Sequence, residues 1–149
     1  MFRYLLILIV SLAVTPALAS ADLVVKRSNL GAVKTLDRLE AIVKNNGLKV
    51  FVRIDHAGAA KTVGVEMKPN QMLMFGSPKL GTPLLVSNPR IGIDLPIRVL
   101  AWEDASGASW VAYTDPKVLK ARYGITDADP VFAKMTGALA KMTAAAAKK

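Results

Sequence analysis

The chain of 149 residues contains no cysteine, one histidine and few aromatic side chains. Without a thiol there is no disulfide, no cysteine nucleophile and no thiolate metal site. Stability must therefore come from a hydrophobic core, which a chain of this length can build unaided. The single histidine, His56, excludes histidine-rich metal clusters and leaves one side chain that titrates near neutrality. Acids are also scarce, with 11 Asp and Glu against 20 Lys and Arg, for a net charge of +9. The basic residues are scattered rather than clustered and no recognised nucleic-acid motif accompanies them, so no specific nucleic-acid partner is expected. The charge suits a soluble surface with some attraction to an anionic envelope.

One long apolar run is present, at the amino terminus. Arg3 precedes the apolar stretch Leu5 to Val14, which Pro16 and the small-residue exit Ala17-Leu18-Ala19 follow. This order is that of a secretory signal, and the run is too short for a membrane span. Residues 1–19 are read as a signal peptide, with Ala21 as the second choice of cleavage site. Residues 20–149 are then a single periplasmic or secreted domain with no transmembrane span after processing. Loss of Arg3 leaves 19 basic residues against 11 acids, or +8.

Leu23 to Lys26 reads as a short strand, and Asn29 as the cap of a helix reaching Asn45. Asn46-Gly47 ends that helix. Leu48, Val50, Val52 and Ile54 alternate with Lys49, Phe51, Arg53 and Asp55, the period of a half-buried strand. That parity turns His56 toward the core where the strand ends. Val63, Val65 and Met67 predict a further strand before the Lys68-Pro69-Asn70 turn, and Met72 to Phe75 another extended run.

Five prolines and four glycines punctuate Gln71 to Pro116. Ser77-Pro78 and Thr82-Pro83 each pair a capping hydroxyl with a proline suited to a first helical turn. A short helix near Lys79 to Ser87 is expected, stopped by Asn88-Pro89. Ile97 to Glu103 and Ser109 to Thr114 flank Asp104-Ala105-Ser106-Gly107 and predict an antiparallel hairpin. Asp115-Pro116 opens a helix that Gly124 ends. Asp129-Pro130 opens a last one, residues 130–143, with Met135, Leu139 and Met142 on one stripe and Ala144 to Lys149 fraying. The expected fold is α+β, a two-layer sandwich of a mixed or antiparallel sheet with helices on one face.

The candidate ligand-binding residues are His56, Phe75, Gly76, Ser77, Pro78, Asp94 and Pro96. They are expected to converge because the strand from Leu48 delivers His56 beside two turns marked by proline and glycine. Asp94 would then fix the imidazole tautomer. Met67, Met72 and Met74 suit core packing better than copper, and no metal or cofactor is expected. The glycine-containing turns match no phosphate-binding spacing. Trp102 and Trp110 are read as packing anchors, with Trp102 buried against a helix.

Ile54-Asp55-His56, FGSPKLGTPLL at Phe75 to Leu85, IDLPIRVLAWED at Ile93 to Asp104 and WVAYTDP at Trp110 to Pro116 occur in this order. Together they resemble the domain-of-unknown-function 302 family over Val33 to Thr126, the core being taken as 33–126. Ser77 stands where many members carry asparagine, and Met72 and Met74 lie outside the family pattern. The resemblance implies a compact two-layer domain, found alone or fused to other modules, with no established activity. The leading functional expectation is an exported module holding a small ligand or an envelope protein near His56. The alternatives are an enzyme using His56 as acid–base residue and a structural domain that forms a homodimer by a sheet edge or its last helix.

Overall fold

The structure, a computed structural model, describes residues 22–149, so the signal-peptide reading lies outside the described residues. Five strands form one sheet: β1 (Leu23–Ser28), β2 (Lys49–Asp55), β3 (Asn70–Gly76), β4 (Ile97–Glu103) and β5 (Ser109–Thr114). Their order is β1-β5-β4-β3-β2, and every neighbouring pair is antiparallel. The helices are α1 (Ala32–Asn45), α2 (His56–Thr62), α3 (Pro78–Ser87), α4 (Pro116–Tyr123) and α5 (Asp129–Ala147), with a 3-10 turn over Pro89–Ile93.

α1 supplies the centre of the core because Leu36, Leu39 and Val43 recur at helical spacing and are fully buried. They join Leu73, Val99 and Val111 from the three middle strands in one apolar cluster, which α5 extends with Phe132, Met135 and Leu139. The expected two-layer α+β fold is the one observed, with a wholly antiparallel sheet. Both strands of the β4–β5 hairpin begin and end where the alternation places them. Gly107, at φ +84°, supplies the backbone angle that lets the hairpin reverse.

Asp104 organises that reversal. Its carboxylate accepts from the backbone N–H of Ser106 and Ala108, the Ser106 hydroxyl and the Trp110 indole N–H. Hydrogen bonds from Ser106 and Trp110, with further help from the two backbone groups, outweigh burial and lower its pKa to about 2. A folded-state pKa below the unfolded ~3.9 stabilises the fold above that value and loses the contribution as pH falls toward 2. Carboxylate titration by NMR is expected to find Asp104 near 2, and Trp110→Phe to move it upward.

Several local expectations are corrected. Gly31, not Asn29, occupies the N-cap of α1, and the Asn29 N–H instead donates to the Ala147 carbonyl. Val63, Val65 and Met67 form no strand; they lie in the turn and loop between α2 and β3, and all three side chains are exposed. The carboxyl-terminal alanines do not fray, because α5 continues to Ala147 and buries Ala146 and Ala147. Trp102 faces away from the helices, half-buried and paired across the strands with Trp110.

The correction with most consequence is in β2. Val50 pairs with Phe75 but Val52 pairs with Met74, so Phe51 is an extra residue in the strand. A one-residue bulge exchanges the two faces for everything after it. Arg53 therefore opposes buried Leu73 on the helix side, where its guanidinium donates to Asp37 and Glu40 of α1 and to Gln71. Val52 and Ile54 turn to the other face.

Candidate functional site

β3 leaves the sheet at Gly76, and Pro96 leads into β4 directly beside it, since Phe75 and Ile97 are partners. Ser77 turns the chain into α3 by accepting from the Lys79 N–H, with Pro78 in the first helical turn. α3 and the face of α5 bearing Met135, Ala138, Leu139 and Met142 then border a solvent-open cavity of about 480 Å³ at this end of the sheet. Phe75 and Ile97 come from the sheet, Leu80 and Leu85 from α3, and Phe51 from the β2 bulge. Ser77 and Thr82 contribute the only polar side chains among the lining residues, and none is charged.

This arrangement suits binding by apolar burial. Its size lies within the ~300–1,000 Å³ usual for small-molecule sites. The cavity brings no titratable side chain to its occupant, so the chemistry available there is desolvation and shape. Among the described residues no three His, Cys, Asp or Glu side chains gather where they could hold a metal ion.

Five of the seven sequence candidates, Phe75, Gly76, Ser77, Pro78 and Pro96, line this cavity together. Asp94 stands behind its wall. It is buried, and its carboxylate accepts from Arg98 at 2.6 Å, Arg122 at 2.9 Å and the Tyr123 hydroxyl at 2.6 Å. Burial alone raises its pKa, but the hydrogen bonds from Tyr123 and Arg122 and the charges of Arg122 and Arg98 together hold it below the usual carboxylate range. The same contacts tie the turn before β4 to α4, and Asn88 adds a bond to the Tyr123 carbonyl. Asp94 is thus an anchor for the α3 side of the cavity rather than a partner for an imidazole.

His56 does not join the other six. Asp55 pairs with Gln71 while Lys49 pairs with Gly76, so His56 lies beyond the opposite end of β3. Five residues of strand, roughly 17 Å, separate the two ends. His56 opens α2, which Asp55 caps by accepting from Gly58 N–H at 2.9 Å. A Cβ at Gly58 would lie 2.9 Å from Asp55 Oδ2, so a larger residue there would make the capping carboxylate shift. The expected convergence of His56 with Phe75–Pro78 and Asp94–Pro96 is therefore overturned by antiparallel pairing, which sends the two segments to opposite ends of the sheet.

The sequence reading missed the α5 contribution and Phe51. The stripe of Met135, Leu139 and Met142 was visible as an apolar helix face, but nothing in its spacing distinguishes a cavity wall from solid core. Phe51 is exposed, as the alternation implies, but the bulge sets its ring at the rim of the cavity, which the alternation does not report.

The fold and cavity define a small α+β domain with an apolar ligand-sized pocket at one end of an antiparallel sheet. The chain belongs to the family described as "Domain of unknown function DUF302", whose model matches residues 24–142. A solved structure, the uncharacterized conserved protein DUF302 from Bacillus stearothermophilus, has the same fold, with a TM-score of 0.71 at 19% identity over 86% of this chain and 97% of that one. Among curated relatives, "Fluoride-specific ion channel FluC 1" of Brucella suis is 39% identical over 127 residues, covering 82% of this chain and 50% of that protein. The Brucella abortus protein of the same name is also 39% identical, with 47% of its length covered. This chain thus spans about half the length of the curated relatives it matches. Among the described residues no helix is long and apolar enough to cross a membrane.

Proposed function

We propose that this domain is an exported accessory module that binds a small, mainly aliphatic or aromatic molecule in the cavity between α3, α5 and the end of the sheet. The carrying observation is the composition of the cavity: about 480 Å³ lined by apolar side chains, with two hydroxyl-bearing residues and no charge. Such a lining favours an occupant that gains from leaving water and rejects one carrying a buried charge. Export rests on the amino-terminal charge and hydropathy pattern. The accessory role is supported by the Brucella relatives, in which the matched stretch is about half of a chain named as an ion channel. The basic charge of the chain suits work near an anionic membrane surface.

Linear alcohols of increasing chain length provide the test, read as a shift of the melting temperature. A ligand that binds only the folded state raises that temperature by mass action. The shift is expected to grow with chain length until the cavity is full, then level off. Ala138→Trp places an indole from α5 into the cavity and is expected to weaken binding by roughly 100-fold, a loss of ~2.7 kcal/mol. Chain-length independence in the wild-type protein, or equal shifts in a folded Ala138→Trp variant, would remove the cavity as the site.

A further inference from the structure

The second face of the sheet has no helical cover of the kind that α1 and α5 give the first. Ladder partners place Val25, Ala112, Leu100, Met72 and Ile54 in one row across all five strands. Apart from Ala112, which is buried, these side chains are half-buried, and none of the five belongs to the core cluster under the helices. An antiparallel sheet with one solvated face normally alternates apolar-in with polar-out. Here the central outward row is apolar as well, flanked by Trp102 and Trp110 between Arg27 and Asn70 on one side, and by Met74 and Val52 with Arg98 and Thr114 on the other.

We propose that this face is the interface of a homodimer, two copies packing sheet against sheet about a two-fold axis near Leu100. Leu100 is the central residue of β4, and β4 is the central strand of the sheet. A two-fold axis there brings Leu100 against its own copy and apposes apolar side chains around it, as a self-complementary interface requires. Charge favours this occupant. In a chain of net charge +9, a face whose centre carries no charge is one through which two copies can meet with little repulsion. The row through Leu100 carries no charge; beside it Arg98 is paired with Asp94 at 2.6 Å, and Arg27, next to Trp110, lies on the edge strand β1 away from the axis.

Area argues the same way. Five strands ~4.8 Å apart and about 20 Å long give a flat footprint of roughly 480 Å². Two such faces reach the ~1,000 Å² that a stable interface should clear, before side-chain relief is counted. Self-association thus moves from the sheet edge or last helix, where the sequence suggested it, to the open face.

The test uses the full chain in sedimentation across a range of concentrations. The wild-type protein is expected to be a dimer that dissociates on dilution, and Leu100→Glu to weaken it by roughly 100-fold or more, since two carboxylates would be buried face to face. Absence of native cysteine supplies a second readout that does not depend on tolerating a charge. Leu100→Cys should form an intermolecular disulfide under mild oxidation, and Lys134→Cys, on the exposed side of α5, should not. A wild-type chain that stays monomeric at every concentration would overturn the proposal. So would a dimer in which Leu100→Cys cross-links no better than Lys134→Cys.

Discussion

Phe75→Ala is expected to cost about 3–5 kcal/mol of folding stability, the range for truncating a buried aromatic ring. Phe75 is 2% exposed and stands where two demands meet. Its ring belongs to the core cluster beneath the helices, and it also lines the cavity beside α5. Removing it should therefore enlarge an existing cavity rather than open an isolated void. An added aliphatic ligand can then occupy part of the lost volume. At a hundred times its dissociation constant, a ligand that binds only the folded state returns ~2.7 kcal/mol. Denaturant unfolding with and without a linear alcohol measures both quantities. A variant that loses the stability but gains no more from ligand than the wild type would show that the ring is core alone.

Asp94→Ala is expected to cost about 2–4 kcal/mol, on the order of 10 °C in melting temperature. Breaking a buried ion pair by removing one partner is worth ~3–5 kcal/mol when the other partner stays buried. The estimate is set lower because Arg98 and Arg122 are 42% and 43% exposed and can turn to water. The acid dependence follows from the lowered carboxyl pKa. Because the folded value lies below the unfolded ~3.9, the stabilisation is complete above that pH and fades as pH falls through the folded value. Wild type and Asp94→Ala should thus differ most near neutrality and converge in acid. A constant difference from pH 7 to pH 2 would assign the loss to packing instead of charge.

The parts of the fold that local chemistry specifies were legible in the sequence. Ser77-Pro78, Asp115-Pro116 and Gly124 mark helix ends because capping, proline geometry and positive φ act within a few residues. The β4–β5 hairpin was legible for the same reason. Illegible features depend on partners distant in sequence. The bulge at Phe51 is imposed by pairing with β3, and it reversed the faces of Val52, Arg53 and Ile54. Burial of Ala146 and Ala147 depends on α5 lying against the rest of the domain, which an alanine run does not announce.

The candidate site divides along the same line. Phe75, Gly76, Ser77, Pro78 and Pro96 were found together because the chain leaves one strand and enters the next at adjoining turns. His56 was misplaced because its position depends on the direction of the β2–β3 pairing and on α2, neither of which periodicity reports.

The central claim is that an apolar molecule occupies the cavity beneath α3, and methionine methyl NMR tests it most directly. Met135 and Met142 line the cavity, whereas Met72 and Met74 lie on the uncovered face of the sheet and Met67 in the exposed loop before β3. Titration with a linear alcohol is expected to shift the Met135 and Met142 methyl signals along saturating curves while those of Met67, Met72 and Met74 stay in place. Shifts confined to Met67, Met72 and Met74, or no saturable shift at Met135 and Met142, would contradict the account.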